Sequence, residues 1–345
     1  MVLKERRGVM KLLSLFSGIG AFEKALENIG IDYELVNYCE IDKYASKSYS
    51  LIHNVPESVN LKDVSKVDTS KLPNDIDLIT YGFPCQDISI AGKKKGFKDD
   101  EGNITRSGLF FEALRIIKST KPRVAIAENV KALTGNKLKN EFRTVLDSLA
   151  DAGYNQYWQV LNSKDYGIPQ GRERVFIVSI RKDIDKTTFK FPDPIVLTKT
   201  IDDFLEENVD KKYYLSEKME KYILGNALGG KTHDYYDRSK AIFNKKVAYT
   251  LTTEQNKRAG TTNYIADGYS GELRVSEYLK KKYDRQIRLR KLTEKESFRL
   301  MGFDDKDCDI LRNNGISMTQ LYKQAGNSIV VNVLQEVFKS LYELK

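Results

Sequence analysis

Short apolar runs alternate with helical patterns through the first half of the chain. The runs are rich in β-branched and aromatic residues and lie at 12–16, 35–38, 78–81, 124–127, 157–161 and 175–180. Between them, apolar residues recur at helical spacing over 21–29, 109–117 and 141–152. Buried strands separated by helices are typical of a doubly wound, mostly parallel sheet with helices on both faces. The sequence therefore predicts an α/β fold.

The pattern changes after residue 190. Two closely spaced prolines interrupt the chain, and the following residues show little periodicity and are rich in Tyr, Lys, Gly and Asn. A helical pattern returns over 328–344, and we expect this helix to pack back on the first part of the chain. The sequence therefore predicts a main domain of residues 10–190 plus 320–345 and a smaller, irregular domain of residues 191–319.

Composition excludes several classes of protein. The chain has 345 residues and is 41% hydrophobic, which suffices for a sizeable core, yet no apolar run of about 18 residues predicts a membrane span. The charged residues near the start are not followed by the longer apolar stretch of a secretory signal. Three scattered cysteines, Cys39, Cys85 and Cys308, are too few for a disulfide framework or a zinc cage. We therefore expect a cytoplasmic protein without a metal site.

Positive charge is concentrated in one segment. The formal net charge is +9, and residues 221–299 alone carry 18 basic and 9 acidic side chains. A solvated face is one explanation of such a segment. The other is a polyphosphate partner, because Lys and Arg displace the counterions that surround nucleic acids. Charge alone leaves both explanations open.

A glycine turn follows the first predicted strand. The residues Phe16-Ser17-Gly18-Ile19-Gly20 lie between that strand and a helical pattern, where glycines permit close approach of a nucleotide-like ligand. Tight packing explains such a turn equally well. However, the third glycine of the dinucleotide fingerprint is missing, and Glu40 ends the second strand, where a carboxylate can hold ribose hydroxyls. A nucleoside cofactor without a diphosphate fits best, and S-adenosylmethionine is one.

Cys85 follows the strand at 78–81, in the sequence Tyr81-Gly82-Phe83-Pro84-Cys85-Gln86. Ligands of open α/β sheets bind at the carboxyl ends of the strands. A lone cysteine is more often a small buried apolar residue than a reactive one. Here, however, a long lysine- and glycine-rich loop, 87–108, comes directly after it, and loops of this kind are frequently lids. Cys85 is therefore a candidate nucleophile.

Two further groups of charged residues adjoin predicted strands. Glu128 follows the apolar run at 124–127, which favours a partly buried and functional carboxylate over the alternative of a carboxylate at a helix N-terminus. Arg172 and Arg174 precede the strand at 175–180. Arginines that enter a buried strand indicate recognition of a polar ligand.

These four segments together resemble the bacterial C5-cytosine DNA methyltransferases. Residues 16–20 are similar to the family's cofactor motif, Pro84-Cys85-Gln86 to its nucleophile motif, Glu128-Asn129-Val130 to its acid motif and Gln170-Gly171-Arg172-Glu173-Arg174 to its arginine motif. Further on, 290–303 resembles the segment that closes the recognition region, and Gln324-Ala325-Gly326-Asn327-Ser328 resembles the last motif. The motifs occur in the family's order along nearly the whole chain. Gly171 departs from the pattern, because the family more often has a basic residue there.

The resemblance implies a Rossmann-like methyltransferase fold, S-adenosylmethionine as cofactor and S-adenosylhomocysteine as product. It implies a variable target-recognition region over 191–285, in which Thr250-Leu251 is the only short element that matches. The cofactor-binding residues it implies are Phe16, Gly18, Ile19, Gly20, Glu40, Ile41, Asp63, Val64, Gly82, Pro84, Leu109, Asn327 and Ser328. The catalytic residues it implies are Cys85, Glu128, Arg172 and Arg174, and the DNA-binding residues are Gln86, Ser89, Lys93 and Thr250.

The reaction requires residues of these types. Carbon 5 of cytosine has no lone pair, and a thiolate that adds at C6 makes C5 nucleophilic. A carboxyl group such as that of Glu128 stabilises the adduct at N3. Arg172 and Arg174 can hold the base carbonyl and lower the pKa of the thiol. Because C6 is buried in a duplex, the base must be flipped out, and the loop at 87–108 would close over it.

Three alternatives compete with a DNA methyltransferase. A related enzyme that methylates cytosine in tRNA is disfavoured by the long basic segment. A nicotinamide-dependent oxidoreductase is disfavoured by the missing third glycine, and it gives no role to Cys85. A non-catalytic DNA-binding protein accounts for the charge alone. The expected partner is double-stranded DNA, bound by a monomer of bacterial or phage origin. Either a restriction endonuclease accompanies the enzyme or it acts alone.

Overall fold

The computed structural model describes residues 8–84, 106–186, 189–225, 246–254, 263–267, 280–281 and 288–343. The described strands are β1 (Met10–Leu15), β2 (Tyr33–Cys39), β3 (Leu78–Tyr81), β4 (Val124–Val130), β5 (Tyr154–Asn162), β6 (Gln170–Gly171), β7 (Glu173–Arg181), β8 (Ala248–Tyr249), β9 (Tyr264–Asp267) and β10 (Arg288–Lys291). The described helices are α1 (Ala21–Asn28), α2 (Lys43–His53), α3 (Phe110–Thr120), α4 (Lys139–Asp151), α5 (Glu217–Gly225), α6 (Glu294–Arg299), α7 (Asp305–Asn313), α8 (Met318–Asn327) and α9 (Val331–Tyr342). None of these helices has the length and apolar character of a membrane span.

The described residues fall into two compact units. The first unit takes its residues from Met1–Tyr166, Glu173–Val196 and Ser328–Lys345, and the second from Gly167–Arg172 and Leu197–Asn327. Whether these units act as the two domains predicted from the sequence stays a prediction.

A six-stranded sheet forms the centre of the first unit, in the order β2-β1-β3-β4-β7-β5. The β1/β2, β1/β3 and β3/β4 pairs are parallel, and β7 runs antiparallel to both of its neighbours. The predicted α/β fold with a mostly parallel sheet is thus confirmed. The reversal at β7 has a local reason: β5 and β7 are joined by a short segment that contains a 3-10 turn at Ser163–Tyr166 and no crossover helix.

The inner strands are buried on both faces because helices cover both sides of the sheet. All four residues of β3 are buried, as are the apolar residues at the start of β4. Such strands carry continuous apolar runs instead of alternating ones. This is why the sequence pattern locates them well.

The predicted C-terminal helix is present as α9 and packs on α1. Apolar residues spaced three and four apart, such as Leu334, Val337 and Phe338, form its buried face. The rings of Phe338 and Phe22 meet edge to face with their centroids 6.3 Å apart. The chain thus returns to the first unit at its end, as expected.

The second unit contains short strand pairs and helices. β6 pairs with β8 in parallel, and β9 pairs with β10 in antiparallel fashion. A buried ion-pair network lies between these elements: the guanidinium of Arg290 contacts Glu296 at 2.9 Å and Asp267 at 2.7 Å. Glu296 also completes a capping box with Thr293 at the start of α6. The residues at 290–296 thus hold the fold of this unit.

Candidate functional site

The register of the sheet brings four chain segments to one edge. Leu15 pairs with Cys39 and with Tyr81, and Tyr81 pairs with Ala127. Because these strands are parallel, the residues that follow them lie side by side at the carboxyl edge. They are Phe16, Glu40, Gly82 and Glu128, and all four belong to the predicted site. Ligands of open α/β folds bind at this edge.

The glycine turn leaves β1 through three residues with a left-handed backbone. The φ angles are 53° at Phe16, 57° at Gly18 and 81° at Gly20. A positive φ is unusual for an aromatic residue, and such strain is frequently found at functional sites. The turn is closed by hydrogen bonds from the amides of Gly20 to the Ser17 carbonyl and of Ser17 to the Cys39 carbonyl.

Glu40 holds this turn from the neighbouring strand. One carboxylate oxygen accepts the Gly18 amide and the other accepts the Asp42 amide, both at 2.8 Å. Burial raises the pKa of Glu40 above its ordinary value, although these two amides oppose the shift. The remaining lone pairs of the carboxylate can accept hydrogen bonds from a ligand's hydroxyl groups.

Asn60 fixes the backbone of Glu40. Its side-chain oxygen accepts the Glu40 amide at 3.0 Å, and its side-chain nitrogen donates to the Glu40 carbonyl at 2.9 Å. The same nitrogen donates to Ser46 Oγ at 2.8 Å. Asn60, which is twenty residues further along the chain, therefore determines the position of the Glu40 carboxylate.

The other predicted cofactor residues of the first unit differ in exposure. The side chain of Ile41 is 74% exposed, whereas Ile19 and Val64 are buried. Asp63 accepts the Ser65 amide and hydroxyl, and these hydrogen bonds lower its pKa. Ser328 is buried, and its hydroxyl donates to the Ile329 carbonyl at 3.3 Å. The remaining residues are partly buried: Phe16, Gly82, Pro84 and Leu109.

Glu128 is paired with Arg174 across the β4/β7 strands. Arg174 Nε lies 3.0 Å from Glu128 Oε1, and both side chains are mostly buried. A Cβ at Gly82 would lie 3.8 Å from Glu128 Oε2, so the chain that leaves β3 runs beside this carboxylate. The side chain of Asn129 donates to the Phe83 carbonyl at 3.0 Å and fixes the same segment. The predicted acid and one predicted arginine are thus brought together.

The predicted nucleophile Cys85 lies outside the described residues, as do the predicted DNA-binding residues Gln86, Ser89 and Lys93. The other two cysteines, Cys39 and Cys308, are free and buried. Burial raises the pKa of each thiol to about 12. Neither is therefore ionised near neutral pH, and neither has the character of a nucleophile.

Arg172 lies in the second unit and contacts backbone carbonyls there. Its guanidinium donates to the Leu251 carbonyl at 2.9 Å and to the Gly326 carbonyl at 3.2 Å. Gln170, which is fully buried, accepts the Leu251 amide at 2.9 Å and donates to the Leu300 carbonyl at 2.8 Å. Arg172 and Gln170, which belong to one motif, therefore hold the carbonyl and the amide of Leu251.

Thr250 is tied to the same segment. Its hydroxyl donates to the Gly171 carbonyl at 2.6 Å. A Cβ at Gly171 would lie 3.8 Å from the nearest atom, the Ala248 carbonyl oxygen, which is an ordinary contact. Gly326 differs, because a Cβ there would lie 2.3 Å from the Thr252 backbone. Asn327, a predicted cofactor residue, ends α8 and is exposed.

The positioning residues Asn60, Asn129 and Gln170 were not predicted from the sequence. They bond backbone groups that are distant in the sequence, and only Asn129 and Gln170 lie within the motifs named above. Their common property is a buried amide side chain that satisfies a backbone donor or acceptor outside regular structure. Among the described residues, no group of three or more His, Cys, Asp or Glu is arranged to hold a metal ion.

Comparisons with known proteins agree on one family. The model of the C-5 cytosine-specific DNA methylases matches residues 10–343. The orphan methyltransferase M.SPRI of Bacillus phage SPR is 33% identical over 97% of this chain and 98% of its own length. The type II methyltransferase M.NlaX of Neisseria lactamica is 35% identical over 96% of both chains. The solved structure of methyltransferase EhMeth from Entamoeba histolytica covers 98% of this chain and 99% of its own, with a TM-score of 0.72 and 21% identity. At this identity the match shows a shared fold.

The glycine turn provides a matched pair of substitutions. Gly18→Ala and Gly20→Ala both place a side chain at positive φ, at a cost of about 1–2 kcal/mol each. A Cβ at Gly20 would in addition lie 2.0 Å from His53 Nε2, whereas Gly18 has open space around it. We expect Gly20→Ala to lower the free energy of unfolding in urea by about 1–3 kcal/mol more than Gly18→Ala does. Equal losses in the two variants would contradict the close approach to His53.

Proposed function

The chain belongs to the C-5 cytosine-specific DNA methylases and is therefore a DNA cytosine-5-methyltransferase; we propose that its reaction takes place at the carboxyl edge of the sheet described above. In this proposal Cys85 is the nucleophile, Glu128 and Arg174 stabilise the base, and the turn at 16–20 with Glu40 holds the methyl donor. The observation that carries the proposal is the register that places Phe16, Glu40, Gly82 and Glu128 at one edge.

The family implies an S-adenosylmethionine-dependent enzyme, and the residues present fit this group. The open backbone of the glycine turn accepts a close ligand, and the Glu40 carboxylate has lone pairs for the ribose hydroxyls. When bound, S-adenosylmethionine supplies the electrophilic methyl group. The remaining residues proposed to line this pocket are Ile19, Ile41, Asp63, Val64, Gly82, Pro84, Leu109, Asn327 and Ser328.

Cys85 is proposed to add to the target base as a thiolate. The new bond joins Sγ to C6, and the electron pair of the C5–C6 double bond becomes available at C5, which takes the methyl group. Loss of the proton from C5 then returns its electron pair to the ring and expels the thiolate. The inert character of Cys39 and Cys308 supports this assignment, because it leaves Cys85 as the reactive cysteine of the three.

Glu128 and Arg174 are proposed to act on the base as a unit. Glu128 protonates or hydrogen-bonds N3, so that negative charge from the addition is neutralised. Arg174 holds the Glu128 carboxylate at 3.0 Å and donates to the base carbonyl. The contacts of Arg172 favour a different role from the one that its motif suggests. We propose that Arg172 positions Leu251, and thereby Thr250, through the backbone.

The second unit is proposed to be the target-recognition domain, predicted at 191–319. Its basic segment would contact phosphates, and Gln86, Ser89, Lys93 and Thr250 are proposed DNA contacts.

We propose duplex DNA as the substrate of a monomeric, cytoplasmic enzyme. Relatives that match nearly the whole chain are named both orphan and type II methyltransferases. The orphan M.SPRI leads us to propose that this enzyme acts without a cognate endonuclease.

Covalent trapping tests the nucleophile. DNA with 5-fluorocytosine at the target should form a complex that survives denaturing electrophoresis, because methylated C5 carries fluorine and has no proton to lose. Formation should require S-adenosylmethionine and should be abolished in Cys85→Ser, whose hydroxyl stays protonated at neutral pH. Cys39→Ala and Cys308→Ala are the matched controls and should still form the complex. A denaturant-stable complex with Cys85→Ser would falsify the assignment of the whole site.

Calorimetry tests the cofactor pocket. Glu40→Ala removes an acceptor for a ribose hydroxyl and a partner of the Gly18 amide, so the dissociation constant for S-adenosylhomocysteine should rise by about tenfold or more. Glu57→Ala, which removes a carboxylate from the 3-10 turn Glu57–Val59, is the control and should bind like wild type. If Glu40→Ala binds unchanged, Glu40 does not line the pocket.

A domain exchange tests recognition. Replacing 191–319 by the corresponding region of a relative with a different target should change the methylated sequence and keep the reaction at C5. Bisulfite sequencing of DNA from expressing cells reports both the site and the reaction. The exchange carried out in Cys85→Ser is the control and should leave the DNA unmethylated. An active chimera that retains the original site would show that recognition lies elsewhere.

A further inference from the structure

A buried histidine lies beneath the glycine turn and takes no part in the function proposed above. His53 is the last residue of α2, and its side chain is 1% exposed. Its Nε2 lies 3.1 Å from the Ile19 carbonyl oxygen, within the turn. Its Nδ1 lies 2.8 Å from Glu27 Oε1 on α1. The imidazole thus connects the turn to the helix that follows it.

The two partners of His53 determine its charge. A carbonyl and a carboxylate both accept hydrogen bonds, so each ring nitrogen needs a proton to bond its partner. A neutral imidazole carries one N–H and satisfies one of them. Both hydrogen bonds can therefore form together only in the doubly protonated imidazolium.

The neighbouring groups favour that positive charge. Glu23 and Glu27 face His53 from α1. Each carboxylate also accepts a tyrosine hydroxyl at 2.9 Å, Glu23 from Tyr49 and Glu27 from Tyr33. The Tyr49 ring also packs against the imidazole, with the centroids 4.7 Å apart. Lys24 on α1 also interacts electrostatically with Glu27. Burial lowers the pKa of His53, but Glu27 and Glu23 outweigh it, so the pKa is raised above its ordinary value.

The turn is consequently held from two sides. Glu40 accepts the Gly18 amide from one side, and His53 donates to the carbonyl of the next residue, Ile19, from the other. The imidazole occupies the space that a side chain at Gly20 would need. The position of His53 therefore requires the glycine, and the hydrogen bond from His53 fixes the peptide between Ile19 and Gly20.

We propose that His53, as an imidazolium anchored by Glu27, is a positioning residue for the methyl donor that keeps the glycine turn in its binding conformation. The proposal rests on the assignment of the turn as the cofactor site. When His53 loses a proton, the carboxylate of Glu27 retains the Nδ1–H. The lone pair of Nε2 then faces the lone pairs of the Ile19 carbonyl, and the turn loses its support. Cofactor affinity should accordingly fall as His53 deprotonates.

The sign of the effect on stability follows from the raised pKa. A group whose pKa is higher in the folded state stabilises the fold fully below its unfolded pKa. That contribution is lost as the pH rises through the folded pKa. Both the fold and the cofactor site should therefore weaken on the alkaline side of the ordinary histidine pKa, and neither should weaken on its acid side through this group.

Nitrogen-15 spectra of histidine-labelled protein test the charge directly. The chain has two histidines, His53 and His233, so His233→Gln assigns both signals. We expect the His53 ring to show two protonated nitrogens at pH 7 and to titrate above the ordinary histidine pKa. In Glu27→Gln, which keeps an acceptor for Nδ1 and removes the charge, the titration should move to lower pH. A neutral His53 ring at pH 7 in the wild type overturns the proposal.

Calorimetric titration with S-adenosylhomocysteine from pH 6 to pH 9.5 tests the coupling. The ligand's own amino group also titrates within this pH range, so affinities are compared between variants at each pH. The dissociation constant of Glu27→Gln should rise above that of wild type at a pH where wild-type His53 is still charged, by about tenfold, or about 1.4 kcal/mol. Glu34→Gln, an exposed carboxylate on β2, is the matched control and should follow wild type.

The outcomes separate this proposal from the function on which it rests. His53→Gln should bind more weakly than wild type and should show no dependence on the titration of residue 53, with a higher KM for S-adenosylmethionine and a smaller change in kcat. If His53→Gln does not fold, the spectra and the titration of Glu27→Gln still decide. Coincident pH profiles for Glu27→Gln and wild type overturn the role of His53. The cofactor site itself stands or falls with Glu40→Ala.

Discussion

The parallel register of β1 with β2 and β3, and of β3 with β4, is the constraint on which the rest of the site depends. Hydrogen bonds between these strands bring the segments at their carboxyl ends to one edge of the sheet and determine which residues meet there. The inner strands β1 and β3 carry nearly continuous buried runs, so a shift in register would move apolar side chains out of the core. The position of Glu128 relative to Glu40 is thus a consequence of packing in the core.

Beyond the strands, backbone groups at this edge and in the second unit find partners in buried polar side chains. Asn60 hydrogen-bonds the backbone of Glu40, and Asn129 that of Phe83. Gln170 and Arg172 hydrogen-bond the backbone of Leu251. An unpaired backbone group in such surroundings would cost about 1–3 kcal/mol. Each of these side chains therefore stabilises an irregular segment that belongs to the proposed site.

Periodicity and local motifs were sufficient to predict the sheet, the helices α1, α3, α4 and α9, and most of the carboxyl edge, whereas α2 was not predicted. They succeed because an inner strand is a continuous apolar run and because the candidate side chains follow such runs directly. Contacts over long sequence separations are different. Nothing near Gln170 in the sequence indicates that its amide bonds Leu300, and nothing near Gly20 indicates that His53 fills the space beside it. The direction of β7 likewise depends on the length of the segment that precedes it.

Arg290 in the second unit has a consequence for how this protein can diverge. Its guanidinium is fully buried and neutralised by Glu296 and Asp267. Loss of Arg290 would leave the fully buried Glu296 carboxylate without its cation, at a cost of about 3–5 kcal/mol. Substitution at Arg290 is therefore constrained by folding alone, whatever DNA sequence the enzyme methylates. Exposed positions of the same unit carry no such penalty, so the unit can acquire a new surface while its ionic interior stays unchanged.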